Sequence, residues 1–397
     1  MPGKKETALV AGAAVAALAA KLVLSYHAFG TNDMTTWVGA ARIMRQAGTF
    51  RIYSLVGLYN QPPLFSWLLL SSWAVALKTA WPFPYVFRLL PIFADLASVF
   101  IVWELARKRE PRSALWVALL CALNPVNFLI SGFHGHLDTV FILFVLLAVH
   151  LAEQDRIAAS GLAYGLSVCI KIVPAVLAPV FLLRIQGRRN KLVFAAASSL
   201  VFLAVFLPYL VGCEPYMVKN IFLYQSDRGV WGIWHVLLWL GESGRPSLQH
   251  LARVLVRLYG ACGLPVFLLL ILTAPALIMR RKGLDLIQGI FLSFCTFLAF
   301  TPGFGVQYLS WLSLFSIMVL PLAGSVYALI GAVFLCRVYA YWGGARPPYY
   351  ANLWATGFWT GLDKDLDLLL WGTVLIMLAV FFIKTGSRSS ASPPRRS

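Results

Sequence analysis

Charge is what this sequence has least of. Charged residues fill 12% of its 397 positions and hydrophobic ones 60%, against about 25% charged in an ordinary soluble domain. That excludes a water-soluble globular enzyme. Disorder is excluded as well, because disordered chains are polar and poor in aromatics, and 14% of this chain is Phe, Trp or Tyr. Cysteine is sparse: six residues at 121, 169, 213, 262, 295 and 336, scattered mostly within apolar runs. No CxxC or other metal-ligand spacing occurs, so these read as small core residues. The short alternating strands of a transmembrane β-barrel are missing too. The apolar runs are longer and unbroken, which leaves a polytopic bundle of transmembrane helices, all-α in class.

Acidic residues are the scarcer sign, 15 against 33 Lys and Arg, for a net charge of +18. The excess does not form a nucleic-acid-binding face. It sits in clusters between apolar runs: Lys4 and Lys5; Arg107, Lys108, Arg109 and Arg112; Arg184, Arg188, Arg189 and Lys191; Arg280, Arg281 and Lys282; and Lys384 with Arg388, Arg395 and Arg396. This is the positive-inside pattern of cytoplasmic loops. The first apolar run follows two lysines as a signal peptide would, but Lys21 interrupts it and no clear cleavage site follows, so a retained anchor is expected.

The basic clusters fix a topology. Residues 6–26 cross outward, and 86–106 return to the basic loop at 107–112. For the parity to hold, 62–80, bounded by Pro62 and Pro63 and by Pro82 and Pro84, must stay in the outer half of the membrane. The limbs 113–130, 139–151, 157–172, 174–183, 192–211, 258–279 and 284–300 then alternate. Two more limbs, split near Pro321, and a last span at 366–383 follow. About twelve crossings result, with both termini cytoplasmic and a disordered basic tail at 385–397. No internal repeat is visible, so 1–397 reads as a single integral membrane domain.

The polar residues left unexplained gather on the external side, where an ionisable group near membrane depth is costly and points to function. Asp33 follows the first span and opens a stretch with Met34, Trp37, Val38, Ala41 and Met44 on one face and Arg42 and Arg45 on the other. That spacing predicts an amphipathic helix on the membrane surface, with Asp33 as its N-cap, as a catalytic carboxylate, or as both. Tyr59-Asn60-Gln61-Pro62-Pro63-Leu64 opens the non-crossing segment. Arg88 lies near the outer end of its span, placed either to snorkel or to bind a phosphate. His134-Gly135-His136-Leu137-Asp138 is the densest cluster; His134 and Asp138 would share a helical face, and the glycine would let all three converge. Imidazole and carboxylate are suitable ligands for a divalent metal, but the spacing supports no metal site and no cofactor is implied. Lys171 ends a short limb on the same side. Thr301 to Tyr308 forms a Gly/Pro turn presenting Gln307 and Tyr308. The stretch beyond 212 adds Tyr224 to Arg228, then Trp231, Trp234 and His235, as an interfacial belt or as surfaces for sugar rings.

In order and type these motifs resemble the GT-C superfamily of polyprenyl-phosphate-sugar-dependent glycosyltransferases. Asp33 resembles that superfamily's first-loop aspartate. Tyr59 to Leu64 is similar to the Tyr-x-x-Pro-Pro-Leu segment of bacterial lipid A aminoarabinose transferases. Phe87 to Pro91 resembles the Arg-Leu-Pro stretch of protein O-mannosyltransferases. His134 to Asp138 sits where dolichyl-phosphate-glucose transferases carry His-Gly-His-Phe-Gln, and Ile170 to Pro174 sits at their Phe-Lys-Gln segment. The likeness covers residues 1–215, which would form the catalytic module, with 216–384 as variable helices and a looser echo of bacterial mannosyltransferases at 300–311. Two departures are plain: Asp33 has no acidic neighbour, and His136 is followed by Leu137 and Asp138. The resemblance implies an inverting transfer of a hexose, mannose-like, from a polyprenyl-phosphate-sugar donor lipid to a lipid, glycan or protein hydroxyl. It would occur on the external face of a bacterial plasma membrane. Asp33 would be the general base. Arg88, Lys171 and a histidine would stabilise the leaving phosphate. Tyr59, Gln61, His134, His136, Asp138, Gln307 and Tyr308 would line the substrate. No cytoplasmic Gly-rich loop is present to bind a nucleotide. A transporter or lipid flippase is the alternative; it predicts repeated halves and ionisable groups near the midplane.

Overall fold

A computed structural model describes residues 3–57, 59–224, 226, 230–343 and 361–389. Within them the chain is a bundle of α-helices: α1 (Lys4–His27), α2 (Asn32–Ala47), α3 (Ile52–Leu55), α4 (Pro63–Thr79), α5 (Phe83–Arg109), α6 (Ala114–Ala122), α7 (Pro125–Leu129), α8 (Asp138–Ala152), α9 (Ile157–Ile170), α10 (Ala178–Arg184), α11 (Arg188–Met217), α12 (Ile233–Gly241), α13 (Pro246–Lys282), α14 (Leu286–Phe300), α15 (Leu309–Val319), α16 (Pro321–Gly343) and α17 (Gly361–Ser389). α17 continues into the stretch expected to be a disordered tail, and residues 390–397 lie outside the described residues.

Among the described residues, seven helical stretches are long and apolar enough to cross a membrane: Lys4–His27, Phe83–Arg109, Ala114–His134, Arg188–Phe222, Pro246–Lys282, Pro321–Ala340 and Lys364–Gly386. Five shorter apolar helices accompany them: Asp138–Ala152, Ile157–Ile170, Val173–Arg184, Leu286–Phe300 and Val306–Val319. These seven and five are the limbs that the sequence suggests as crossings, but only the seven have spanning length by themselves.

α5 sets the depth scale. Arg88 near its start bonds the carbonyls of Gly132 and Phe133, and Arg109 at its end reaches Asp285 at 2.7 Å. At 1.5 Å per residue these points lie about 30 Å apart, the thickness of a hydrocarbon core. The basic loops meet at the Arg109 end. Lys384 lines one cavity with Arg109, Arg184 lines another with Lys108 and Arg109, and Lys282 Nζ donates to Thr385 Oγ1 at 3.2 Å. α4 stays at the opposite end. Its Phe65 lies beside Phe87 and its Trp73 beside Phe83, with ring centroids 5.8 and 5.0 Å apart, so it advances away from Arg109.

α2 forms where the amphipathic pattern places it, but its apolar stripe faces the protein. Met34, Trp37, Ala41 and Met44 are buried, while Arg42 and Arg45 are exposed. Trp37 packs on Phe65 of α4 and its Nε1 donates to the Gly135 carbonyl at 3.1 Å. Burial of that stripe against α4 and the His134 loop, rather than against lipid, is what holds α2.

One polar network crosses the middle of the bundle. Lys21 of α1 is paired with Asp95 of α5, 3% and 2% exposed. Asn127 Nδ2 donates to Asp95 Oδ1 at 2.8 Å, and Ser313 Oγ donates to Asn127 Oδ1 at 2.7 Å. The expectation that polar groups lie on one side only is therefore corrected: Asp95 sits about 10 Å deeper than Arg88 along α5. The charges are tolerated there because each finds a partner.

Candidate active site

The site grows from the junction between α7 and α8. Asn124 caps α7, its side chain accepting from the backbone N–H groups of Val126 and Asn127 at 3.0 and 3.2 Å. The helix then widens into a π turn at Ile130–His134, the kind of irregularity that re-aims a side chain. Gly135 ends it with φ of 78°. That left-handed conformation is what favours glycine here; the nearest neighbour of an added Cβ is the movable end of the Met34 side chain.

The turn sends its two imidazoles to different partners. His134, fully buried, faces Asp33: Nε2 lies 2.9 Å from Asp33 Oδ2, and Nδ1 lies 2.9 Å from the Tyr339 hydroxyl. An ionised carboxylate can only accept, so Nε2 donates to Asp33, while the Tyr339 hydroxyl is the partner of Nδ1. His136 turns the other way, onto Asp138 Oδ2. Asp138, fully buried, also accepts from Lys171 Nζ at 2.8 Å and from the Trp311 indole. Lys171 lies over the rings of Tyr308 and Trp311, 5.3 and 5.1 Å from their centroids, and those two rings stack at 4.0 Å. The two imidazole rings are 6.2 Å apart, so the halves adjoin. The expected convergence of His134 with Asp138 on one helical face does not occur, because the π turn and Gly135 rotate His134 toward α2.

Asp33 differs from the rest in being reachable. Its side chain is 33% exposed. It is not the N-cap: α2 begins at Asn32 with Thr31 in the cap position, and Asp33 lies in the first turn, where a negative charge suits the helix dipole. Burial alone would raise its carboxyl, but the His134 hydrogen bond and the nearby His134, His136 and Lys171 charges outweigh that and hold it below the ordinary carboxylate value. Asp33 is therefore ionised across the neutral range, held by one oxygen and open to solvent.

Arg88 has a different task from the phosphate binding expected of it. Its Nε donates to Pro84 O at 2.9 Å. Nη1 donates to Gly132 O and Phe133 O at 3.3 and 3.0 Å, and Nη2 donates to Ala28 O and, at 3.1 Å, to Phe29 O. All five guanidinium N–H groups are spent on main-chain carbonyls. The side chain is fully buried and ties the end of α1 to the His134 turn. No donor remains for a substrate.

Tyr59 and Gln61 are also inward-facing. The Tyr59 hydroxyl pairs with Ser66 Oγ at 2.8 Å, and the Gln61 side chain is bonded to Asn60. Tyr53 donates to the Gln61 carbonyl at 2.8 Å, so the segment before α4 is a built turn. Tyr308 joins the Lys171 cluster, whereas Gln307 is half-buried in the turn beside Gly305. Trp231 stacks on Phe304 at 4.0 Å, Trp234 donates to Pro302 O at 2.6 Å, and His235 is paired with Asp367. The two tryptophans brace the 301–307 turn instead of offering faces to a sugar, and His235 ties α12 to α17. Gln225, Asp227 and Arg228 lie outside the described residues.

Sequence reasoning missed Tyr339 and Trp311, both from helices assigned to the variable half. It also missed Asp95 and Asn127. Asp95 carried a signal, a lone carboxylate inside an apolar run. Tyr339 carried none. Among the described residues no three His, Cys, Asp or Glu side chains are grouped to hold a metal ion. What the arrangement offers is an accessible carboxylate, fixed by a buried imidazole, next to a lysine held among aromatic rings.

Residues 60–187 match the family model described as alpha-(1->6)-mannopyranosyltransferase, N-terminal domain. That span contains His134, His136, Asp138 and Lys171. The chain is similar to GPI mannosyltransferase 1 of Kluyveromyces lactis, 26% identical over 200 residues, 47% of this chain and 48% of that protein. It is 24% identical to GPI mannosyltransferase 1 of Saccharomyces cerevisiae over 276 residues, 65% and 64% of the two. It is also 26% identical over 136 residues to dolichyl pyrophosphate Glc1Man9GlcNAc2 alpha-1,3-glucosyltransferase of Arabidopsis thaliana, 32% and 27% of the two. The chain thus spans between about half and two thirds of the length of the mannosyltransferases it matches. The resemblance carried by the ordered motifs is borne out.

Proposed function

We propose that this chain, a membrane glycosyltransferase of the GT-C type, moves a mannose-like hexose from a polyprenyl-phosphate sugar to a hydroxyl of a lipid, glycan or protein acceptor. The observation that carries the reading is the Asp33–His134 pair: an ionised, part-exposed carboxylate at the end of the bundle opposite the basic loops. The acceptor oxygen attacks the anomeric carbon from the face opposite the phosphate, so the configuration inverts. The new C–O bond forms as the bond to the phosphate oxygen breaks. The hydroxyl proton passes to Asp33, and the electron pair leaves with the polyprenyl phosphate. A carboxylate with a lowered pKa is a weak base, so it takes the proton late and contributes orientation as well as proton transfer. Lys171, held by Asp138 and half-buried, supplies the positive charge toward the departing phosphate; His136 adjoins it. Arg88 acts through the backbone, holding the His134 turn in place.

The relatives named above are fungal and plant proteins, so we retain an integral membrane location and leave the bacterial setting aside. One observation favours the transporter reading, the Lys21–Asp95 pair in mid-bundle. Its partners are fixed, with Asp95 also bonded by Asn127 and Asn127 by Ser313, which describes a structural clamp. The deciding experiment incubates purified protein with labelled polyprenyl-phosphate hexoses and an acceptor extract, beside a nucleotide-hexose control. Transfer from the lipid donor alone supports the proposal. Donor flipping in proteoliposomes without transfer would support the transporter.

A further inference from the structure

The end of the bundle away from the site carries a feature that glycosyl transfer does not use. A cavity of about 610 Å³ opens between the ends of α5, α6, α14, α15 and α17. Its polar wall holds Arg109, Arg112 and Lys384, opposed by Glu110 and Asp285. Its apolar wall includes Val319, Leu320 and Phe381, and Trp116 stands at it 66% exposed. Arg109 is only half used. Nη2 donates to Asp285 at 2.7 Å, whereas Nη1 is screened from solvent and has no acceptor among the described residues. A neighbouring cavity of about 470 Å³ shares the Arg109–Asp285 pair. There Glu153 and Asp155 offset Lys108 and Arg184, so it offers an anion less.

We propose that the first cavity binds the phosphate of an anionic phospholipid headgroup, with Arg109, Arg112 and Lys384 around the phosphate and the acyl chains along Trp116 and α17. The shared chemistry is a phosphate monoanion; the lipid is favoured over a free ion by the apolar wall, the exposed tryptophan and the depth. The cavity lies at the level of the basic loops, where anionic headgroups concentrate and basic pockets between membrane helices take them. The site is distinct from the Asp33 end by the length of α5 and does not depend on the activity proposed above.

The test uses the purified full chain in a neutral detergent and measures the thermal stabilisation and apparent Kd given by dioctanoyl phosphatidylglycerol, dioctanoyl phosphatidylcholine and inorganic phosphate. Arg112 is exposed, so Arg112→Gln leaves the fold intact and avoids disturbing Asp285. The expected result is stabilisation by phosphatidylglycerol and none by phosphatidylcholine at equal concentration. Arg112→Gln should weaken binding about fivefold, the factor corresponding to about 1 kcal/mol per basic side chain at an anionic surface. Arg189→Gln, in a basic loop outside the cavity, should leave it unchanged. Equal stabilisation by both lipids, or equal weakening by Arg112→Gln and Arg189→Gln, would show a diffuse charged belt and overturn the site. Stabilisation by inorganic phosphate as strong as by phosphatidylglycerol would overturn the lipid as its occupant.

Discussion

The two ends of this bundle handle charge in opposite ways. At the Asp33 end the ionisable groups are buried and held in fixed pairs: His134, Asp138 and Arg88 are each 1% exposed or less, bonded to Asp33 and Tyr339, to Lys171, and to main-chain carbonyls. At the Arg109 end the ions are numerous, exposed and loosely paired. Arg109 and Asp285 are 22% and 38% exposed, and Arg107 and Glu104 are 30% and 42% exposed. The first arrangement fixes geometry at the expense of desolvation. The second orients the protein in its membrane and needs no geometry. The number of charges therefore says little about where chemistry occurs; their fixed pairing, with one carboxylate left accessible, says more.

That contrast orders the effects of substitution. Lys21→Ala should be the most damaging, because it strands Asp95 in mid-bundle; removing one partner of a buried pair costs about 3–5 kcal/mol. Thermal unfolding in detergent would show it, and Lys21→Met with Asp95→Leu should recover most of the loss. If the double substitution is as damaging as the single one, the pair is more than a clamp. Arg88→Lys comes next. Lysine offers three donors in place of five, leaving buried carbonyls unsatisfied at about 1–3 kcal/mol each. Stability should fall while the donor KM of the remaining folded protein stays close to wild type. A normal melting temperature with a raised donor KM would return Arg88 to phosphate binding.

Smaller effects sharpen the same comparison. Tyr339→Phe removes the hydroxyl bonded to His134 Nδ1, at a cost of about 1 kcal/mol. It should lower kcat a few-fold with little change in acceptor KM, a split that loose packing alone would not give. Arg107→Gln, at the exposed basic end, breaks an i,i+3 pair and should shift stability by less than about 0.5 kcal/mol. The pH profile should show almost nothing through the carboxylate range. With the Asp33 carboxyl held below its ordinary value, transfer should persist at pH values where a free aspartate would already be losing its charge. An acidic limb at or above the ordinary aspartate value would mean that His134 does not hold Asp33 as described.

Much of this was legible from sequence. Apolar run length gave the helices, and the basic clusters identified loops that do share one end. The order of Asp33, His134, His136, Asp138 and Lys171 pointed to residues that do adjoin. What was not legible involves partners without a sequence signature. Arg88 reads as a phosphate ligand because main-chain carbonyls at Ala28, Phe29, Gly132 and Phe133 are invisible in composition. Tyr339 is 205 residues from His134 and one of fifteen tyrosines. Asp33 passes for an N-cap because the two-residue shift that makes Thr31 the cap depends on φ and ψ. Lys21 and Asp95 each stand out in an apolar run, but their pairing across 74 residues is a property of packing.

The central claim is that Asp33, alone among the carboxylates of the site, takes the acceptor proton. The most direct test is the single-turnover rate of Asp33→Asn with saturating lipid-phosphate hexose, measured beside its melting temperature and donor binding. Asparagine keeps the size and can still face His134, so folding and donor binding should remain near wild type. The rate should fall by about 10²–10⁴, the usual contribution of a general base. A rate within a few-fold of wild type would contradict the account and leave Asp33 as a helix-terminal charge.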